Sequence, residues 1–508
     1  MIQFSINGQL LKEDKIDPNW TVLRYLRTKT VQVATKEGCA GGDCGACSIL
    51  VAEKDSAGTV SFQAMNACIA LLGSIDGKSI ITVEGLSAEG ELHPVQTAMV
   101  EHHGSQCGFC TPGIVASLAA LYQNKIANKV VNKSSSNLTS KSDDTVTEHD
   151  IYQALSGNLC RCTGYRPIIE AAKAMGKYPE PSLKAAISAS PVVQFDPIAH
   201  QQCENSYLDA SIDYQGRKLF VPDTEDQLKT LLKQYPSATL WAGGTDLGLE
   251  ITQMFKQFDI IICLHKIKSL NKVTHTDSAI RFGAMVSYTD SETHLAQHFP
   301  SFAMLIHRIA AVQIRNLGTL GGNVANASPI GDTPPVFMAL QTRVELSSIK
   351  GVREVGIDDF FTGYKQTAMK KGEYLSALIV PKLASNQHLH VFKVSKRKED
   401  DISAVLMAVR LDNENGKIAN ARIACGGMAA TPLRATKTEA SLNGANFALE
   451  SFEQAAQYIK HDYSPILDVR ATPEYRLNVA SNLIIKTGLE LFSPEVLVTS
   501  NHTVKGGH

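Results

Sequence analysis

The opening residues, MIQFSINGQL, alternate apolar and polar positions on either side of Asn7-Gly8, and so predict two short strands joined by a tight hairpin turn. From Thr21 to Leu26 the period changes: Val22, Leu23 and Leu26 fall on one side of a helix. Strand patterns return at Cys47 to Ala52, Val60 to Gln63 and Ser79 to Val83. Strand, strand, helix and further strands in this order predict a small β-rich domain wrapped over one helix.

Between His93 and about Gln123 the pattern is helical, with Pro94 and Pro112 each suited to a first helical turn. Residues 124–147 are Ser-, Asn- and Lys-rich without periodicity, and read as a flexible surface insertion. Its sequons at Asn132 and Asn137 are expected to be chance matches. Helical character resumes at Glu148, with Thr147 as its cap, and is expected to run through Cys160 and Cys162 to Met175. Prolines at 179, 181, 191 and 197 mark residues 177–200 as a linker. Residues 200–382 mix strands (239–241, 260–264) with helices (224–234). A last unit starts at His388, with strands at 404–411 and 418–425 and a helix from Pro473 to Lys486 capped by Thr472. The fold class expected is α+β and multidomain, since 508 residues exceed one hydrophobic core.

Composition narrows the function. Lys+Arg 49 against Asp+Glu 50 leaves a net charge of −1, so no global basic field serves nucleic acid or an anionic membrane. Apolar runs such as Ile114 to Leu121 are far shorter than the ~20 residues of a membrane span. The polar N-terminus lacks the apolar centre of a signal peptide, and a cytoplasmic location is expected.

Eight of the 11 cysteines lie before residue 163, while Cys203, Cys263 and Cys425 stand singly and read as buried apolar residues. Cys39-x4-Cys44-x2-Cys47 with Cys68 downstream has the plant-type ferredoxin spacing of a [2Fe–2S] cluster. Gly38, Gly41, Gly42 and Gly45 leave its backbone N–H groups free to approach cluster sulfurs. A zinc ribbon would prefer two C-x2-C knuckles. Cys107-x2-Cys110 and Cys160-x-Cys162 form a second set, each pair in a loop feeding a helix. Spacing alone leaves zinc and a second cluster open for it. Two glycine-rich strings follow, Leu240 to Gly248 and Asn316 to Asp332. Neither is a G-x-G-x-x-G fingerprint, and each reads either as a turn or as a loop able to bind pyrophosphate.

The strings EGCAGGDCGAC (37–47), QCGFCTPG (106–113) and SGNLCRCTGYRPI (156–168) closely resemble the molybdenum hydroxylases. That resemblance implies a β-grasp plant-type ferredoxin domain (1–86), a four-helix [2Fe–2S] domain (87–176), an FAD-binding domain of vanillyl-alcohol oxidase type (201–384) and a C-terminal α+β domain as in CO dehydrogenase flavoprotein (385–500). It assigns Cys39, Cys44, Cys47 and Cys68 to one cluster and Cys107, Cys110, Cys160 and Cys162 to another. Ala242, Gly243, Gly244, Thr245, Asp246, Leu247, Gly248 and Leu249 would wrap FAD, with Thr319, Gly321, Gly322, Asn323, Asp332, Leu375 and Lys393 completing the site. Tyr364 and Asp400 match positions that receive NAD. Ala40, Asp43 and Ile309 depart from the pattern, the last at a slot where animal members stack an aromatic residue on the flavin.

The run 313–335 is most similar to the iron–sulfur/FAD small subunits of bacterial xanthine dehydrogenases. The implied activity passes electrons from a molybdenum-cofactor partner subunit through the helical-domain cluster, the plant-type cluster and FAD to NAD, during oxidation of hypoxanthine and xanthine to urate. The implied assembly is a heterotetramer of two small and two large subunits, and no residue of this chain is expected to act as a catalytic acid or base. The alternatives are a subunit of an aldehyde oxidase or other molybdenum hydroxylase and, more distantly, a zinc-binding protein without enzymatic activity.

Overall fold

The computed structural model describes residues 1–54, 60–87, 90–127, 146–178 and 209–493. Most of the insertion with both sequons, nearly all of the linker, Cys203 and the C-terminal end lie outside the described residues. The chain forms two compact units, one of Met1–Leu231, Ala238–Lys266 and Ala311–Leu317, the other of Leu232–Ser237, Ile267–Ala310 and Gly318–His508.

The first unit begins with a sheet of β1 (Ile2–Ile6), β2 (Gln9–Glu13), β3 (Ser48–Lys54), β4 (Val60–Asn66) and β5 (Ser79–Ile81), ordered β2-β1-β5-β3-β4. Within it only the β1–β5 pair is parallel, with Ser5 opposite Ser79. The helix Val22–Thr28 starts where the Thr21 side chain accepts from the Arg24 N–H, and it buries Val22, Leu23 and Leu26 as the periodicity predicts. Phe4, Leu26, Ile49 and Ile80 are fully buried, each such side chain contributing ~1.5–3 kcal/mol by leaving water.

Four α-helices follow among the described residues, Pro94–Glu101, Thr111–Tyr122, Glu148–Leu155 and Arg166–Ala174. Their shared core holds Ile114, Leu118, Ile151 and Ile168. The helix expected from Glu148 to Met175 is in fact two. Gly164 and Tyr165 both take left-handed φ values, +66° and +68°, which no right-handed helix accommodates, and the chain re-enters helix at Arg166-Pro167.

A second sheet in this unit contains β6 (Ile212–Tyr214), β7 (Arg217–Phe220), β8 (Thr239–Trp241) and β9 (Ile260–Cys263), ordered β6-β7-β9-β8. Leu219, Trp241 and Ile261 share one apolar cluster with Ile69 and Leu71. Gly73 permits that approach, since a Cβ there would lie 2.3 Å from Leu219 Cδ1.

The second unit has an antiparallel sheet of Val273–His275, Ala279–Gly283, Tyr374–Pro381, Arg343–Ser348 and Gly351–Gly356 in that spatial order, with a register shift at Glu345/Leu346. Its core includes Phe282, Phe302 and Phe337, the last two edge to face at 5.3 Å. A four-stranded antiparallel sheet (Gln387–Val394, Val405–Glu414, Lys417–Gly426, Leu433–Arg434) has its own core, which takes in Phe452, Ala480 and Ile484. Thr472 caps the helix Pro473–Phe492 as expected, and the helix continues past Lys486. Among the described residues no helix is long and apolar enough to cross a membrane.

Candidate functional site

The first cysteine set sits on the loop before β3 and just beyond β4. Cys47 and Cys68 are buried with their sulfurs 3.2 Å apart, and the Cys39 thiol lies within hydrogen-bonding reach of both Cys44 and Cys68. Gly41 N–H donates to Cys39 Sγ at 3.3 Å, and Asn66 Nδ2 reaches Cys47 Sγ at 3.7 Å. The Cys44 thiol holds Cys39 well below the ordinary thiol range, helped by Cys68, and Cys44 is pushed up in return. Four thiols this close cannot all ionise without a cationic group among them, because each thiolate raises its neighbours. A Cβ on Gly38 would come within 2.8 Å of Cys44 Sγ, so the loop leaves its glycine face to the sulfurs. Both the thiol set and the bare backbone fit a [2Fe–2S] group.

In the second set Cys107 pairs with Cys162 and Cys110 with Cys160. Burial, then Cys160, pushes the Cys110 thiol up to about 12. Burial also opposes ionisation of Cys160, but the Thr163 hydroxyl and backbone amides outweigh it and lower that thiol. Thr163 Oγ1 is 3.2 Å from Cys160 Sγ, and Cys160 N–H donates to Tyr165 Oη at 2.9 Å. That bond helps hold Tyr165 at its left-handed φ. Cys107 and Cys162 are exposed. Among the described residues no group of three or more His, Cys, Asp or Glu forms the shell of a single metal ion.

The two sets meet through backbone. Leu159 N–H donates to Cys44 O at 3.0 Å, and Asn158 Nδ2 donates to Gly45 O at 3.2 Å. Gly113, at the start of the helix after Cys110, packs so closely that a Cβ would lie 2.0 Å from Gly45 O. The cysteine spacing carried no hint of Tyr165, Asn158 or Asn66. The nearest sequence signal is that each lies within a few residues of a ligand candidate.

The glycine strings divide between the two units. In the first, Ala242–Leu249 leaves β8 through a turn with Gly244 at φ +70° and enters the short helix Leu247–Thr252. Trp241 Nε1 is buried with no partner, and a Cβ on Gly244 would lie 2.3 Å from it, so an orphan donor abuts bare backbone. Such a donor suits a ligand acceptor such as those of FAD. In the second unit Thr319 Oγ1 accepts from Gly322 N at 2.9 Å, and Asn323 Oδ1 accepts from the Thr333 hydroxyl at 2.6 Å. Asp332 is buried between Lys393 Nζ and Ser403 Oγ, each at 2.6 Å, so Lys393 is a paired, buried cation rather than part of a solvated charge run. Leu375 is buried in its strand and Ile309 is nearly so. Tyr364 is 62% exposed in the turn 363–366, and Asp400 takes φ +48° with its carbonyl accepting from Arg397.

Three domain families match the chain: a [2Fe-2S] binding domain over residues 82–173, an FAD binding domain in molybdopterin dehydrogenase over 213–383, and a CO dehydrogenase flavoprotein C-terminal domain over 390–491. Residues 39–68 fall outside these segments. Xanthine dehydrogenase/oxidase of Gallus gallus is 30% identical over 91% of this chain and 38% of its own length. Xanthine dehydrogenase of Calliphora vicina is 32% identical over 86% of this chain and 35% of its own. The chain thus spans little more than a third of the length of these curated relatives. Carbon monoxide dehydrogenase from Hydrogenophaga pseudoflava superposes with a TM-score of 0.51 at 28% identity, over 53% of this chain and 95% of that one. With three domain families matched in order, and relatives aligned over 86% and 91% of its length, the chain belongs to the molybdenum hydroxylase family of oxidoreductases and carries that family's [2Fe–2S] and FAD domains.

Proposed function

We propose that the chain is the electron-transfer subunit of an NAD-dependent xanthine dehydrogenase, acting in the cytoplasm with a molybdenum-bearing large subunit in a heterotetramer of two copies of each. The observation that carries the reading is the contact between the cysteine loops, Leu159 N–H on Cys44 O at 3.0 Å. It joins two four-thiol sets in one compact unit, as a relay between two carriers needs. Cys39, Cys44, Cys47 and Cys68 would hold one [2Fe–2S] cluster, and Cys107, Cys110, Cys160 and Cys162 the other. Residues 242–249 in the first unit, and Thr319, Gly321, Gly322, Asn323, Asp332, Leu375 and Lys393 in the second, are each candidates to contact FAD. When bound, these groups supply one-electron carriage and the conversion to a two-electron hydride donor.

The chain's own residues position, shield and expose. Burial of Cys47 and Cys68 keeps water from the inner set, while exposed Cys107 and Cys162 present the outer set to a partner. Tyr364 offers an open aromatic face for a nicotinamide, and Asp400 supplies a carboxylate in the same unit. Domain limits follow at 1–86, 87–176, 201–384 and 385–500. The choice of purine substrate is supported by relatives named xanthine dehydrogenase. A service role for another hydroxylase is the second reading, favoured by the superposition on carbon monoxide dehydrogenase.

Co-purification of the native complex tests the proposal. Molybdenum in a larger partner, four iron per chain, and xanthine-dependent NAD reduction are expected. A complex that oxidises aldehydes and not xanthine overturns the substrate, and one that contains zinc and no iron overturns the relay.

A further inference from the structure

Gln313 is 0% exposed, yet it lies on a helix of only four residues, Val312–Arg315. Its Nε2 stands 2.9 Å from Asn158 Oδ1, 3.0 Å from Ser117 Oγ and 3.2 Å from Ser48 Oγ. Each partner is next to a cysteine element. Ser48 follows Cys47, Asn158 precedes Cys160 by two residues, and Ser117 lies on the helix that begins directly after Cys110.

The orientation of this amide is determined rather than free. Asn158 Nδ2 donates to Gly45 O at 3.2 Å, which turns Asn158 Oδ1 toward Gln313. An acceptor there requires Gln313 to present its NH2, and Gln313 Oε1 is left buried without a partner. Leaving a buried acceptor unpaired is unfavourable, so the NH2 contacts are what hold the side chain in place. Gly157 is shaped to admit it, because a Cβ at that position would lie 2.4 Å from Gln313 Oε1 and 2.3 Å from Ala311 Cβ. The neighbours anchor the same segment to the same elements. Arg315 Nη2 donates to Gln153 Oε1 at 3.2 Å, and Asn316 Nδ2 donates to Ala64 O at 2.9 Å.

We propose that Gln313 is a positioning residue for the relay: its buried amide clamps Ser48, Ser117 and Asn158 together and thereby sets the separation and mutual orientation of the two cysteine sets. The proposal rests on the two-cluster reading. The segment 311–317 belongs to the same compact unit as both sets and runs into the second glycine string, which begins at Asn316, so one stretch of sequence carries both the clamp and a flavin-loop candidate.

Gln313→Glu tests it, because a carboxylate keeps the shape but turns an acceptor toward Asn158 Oδ1. Expected are full iron content, a changed magnetic interaction between the two reduced-state paramagnetic resonance signals, faster amide exchange at Leu159, and slower electron equilibration between the clusters. Ser117→Ala removes one acceptor, leaves the amide in place, and is expected to give a smaller change in the same direction; it carries the test if Gln313→Glu does not fold. Ser5→Ala, which removes the buried 2.8 Å contact to Ser79 in the same unit, is expected to lower stability and leave both signals and Leu159 exchange untouched. Wild-type signals and exchange in Gln313→Glu, or in Ser117→Ala where that variant stands in, overturn the proposal. Fewer than two signals in the wild type instead overturns the two-cluster reading, and Leu159 exchange then still decides whether Gln313 joins the loops.

Discussion

Gly45→Ala probes the joint between the two cysteine loops. Gly45 has φ +67°, a region that costs a residue with a Cβ roughly 1–2 kcal/mol. The added methyl would also meet Gly157 O at 2.2 Å, Asn158 Nδ2 at 2.5 Å and Asn158 Cα at 2.9 Å. Two of those are backbone atoms that cannot swing aside, so the loop 157–160 must move, at about 1–3 kcal/mol for overpacking. The sum, about 2–5 kcal/mol, is a large part of the ~5–15 kcal/mol by which a domain is stable. Gly108→Ala separates the two effects, since Gly108 has φ +82° and nothing within 4 Å of the added methyl. Denaturant unfolding of both variants, with iron content measured in parallel, gives the comparison. Gly45→Ala is expected to lose at least ~1 kcal/mol more than Gly108→Ala, from the overpacking alone. Equal losses would mean that the loops do not touch at Gly45, and the close joint between them would be refuted.

Further outcomes are expected elsewhere. His93, fully buried, is pushed down to about 4 by loss of hydration, while the unfolded chain takes its proton near the ordinary 6.5. The unfolded state therefore binds more protons between those values, and stability falls as pH drops from about 7 to 4, by ~1.4 kcal/mol for each pH unit crossed between them. His93→Asn retains an acceptor for Val95 N–H and should flatten that acid limb in pH-dependent melting; an unchanged slope would exclude His93 as its source. Ala40 sits at φ +49° in the first cysteine loop, so Ala40→Gly should stabilise by about 0.5–1 kcal/mol in thermal melts, and a loss would show that the methyl packs usefully. Tyr364→Ala should raise the KM for NAD about 10–100-fold, equivalent to ~1.4–2.8 kcal/mol of contact, while electron transfer to an artificial dye is unaltered. Equal losses with both acceptors would place Tyr364 in the support of the flavin or the fold instead.

Much of this was legible from residues close together in the chain. Asn7-Gly8, the helix over Val22 to Leu26, the caps at Thr147 and Thr472, and the two cysteine spacings are local patterns, because a turn, a cap or a chelating loop is completed within a few residues. The break between Leu155 and Arg166 was less legible, since a left-handed tyrosine is held there by the bond from Cys160 N–H to its own hydroxyl.

Other features depend on partners distant in sequence. Lys393 reads as one charge in KVSKRKEDD until Asp332 is found against it, 61 residues away. Gln313 reads as one polar residue among apolar ones until Asn158, 155 residues earlier, turns its carbonyl toward it. Spacing can place thiols close together on one loop, but the direction of a buried amide depends on whichever acceptors packing brings up to it. Only the tertiary structure decided that, because an unpaired polar group is tolerable in water and costly once its surroundings have closed over it.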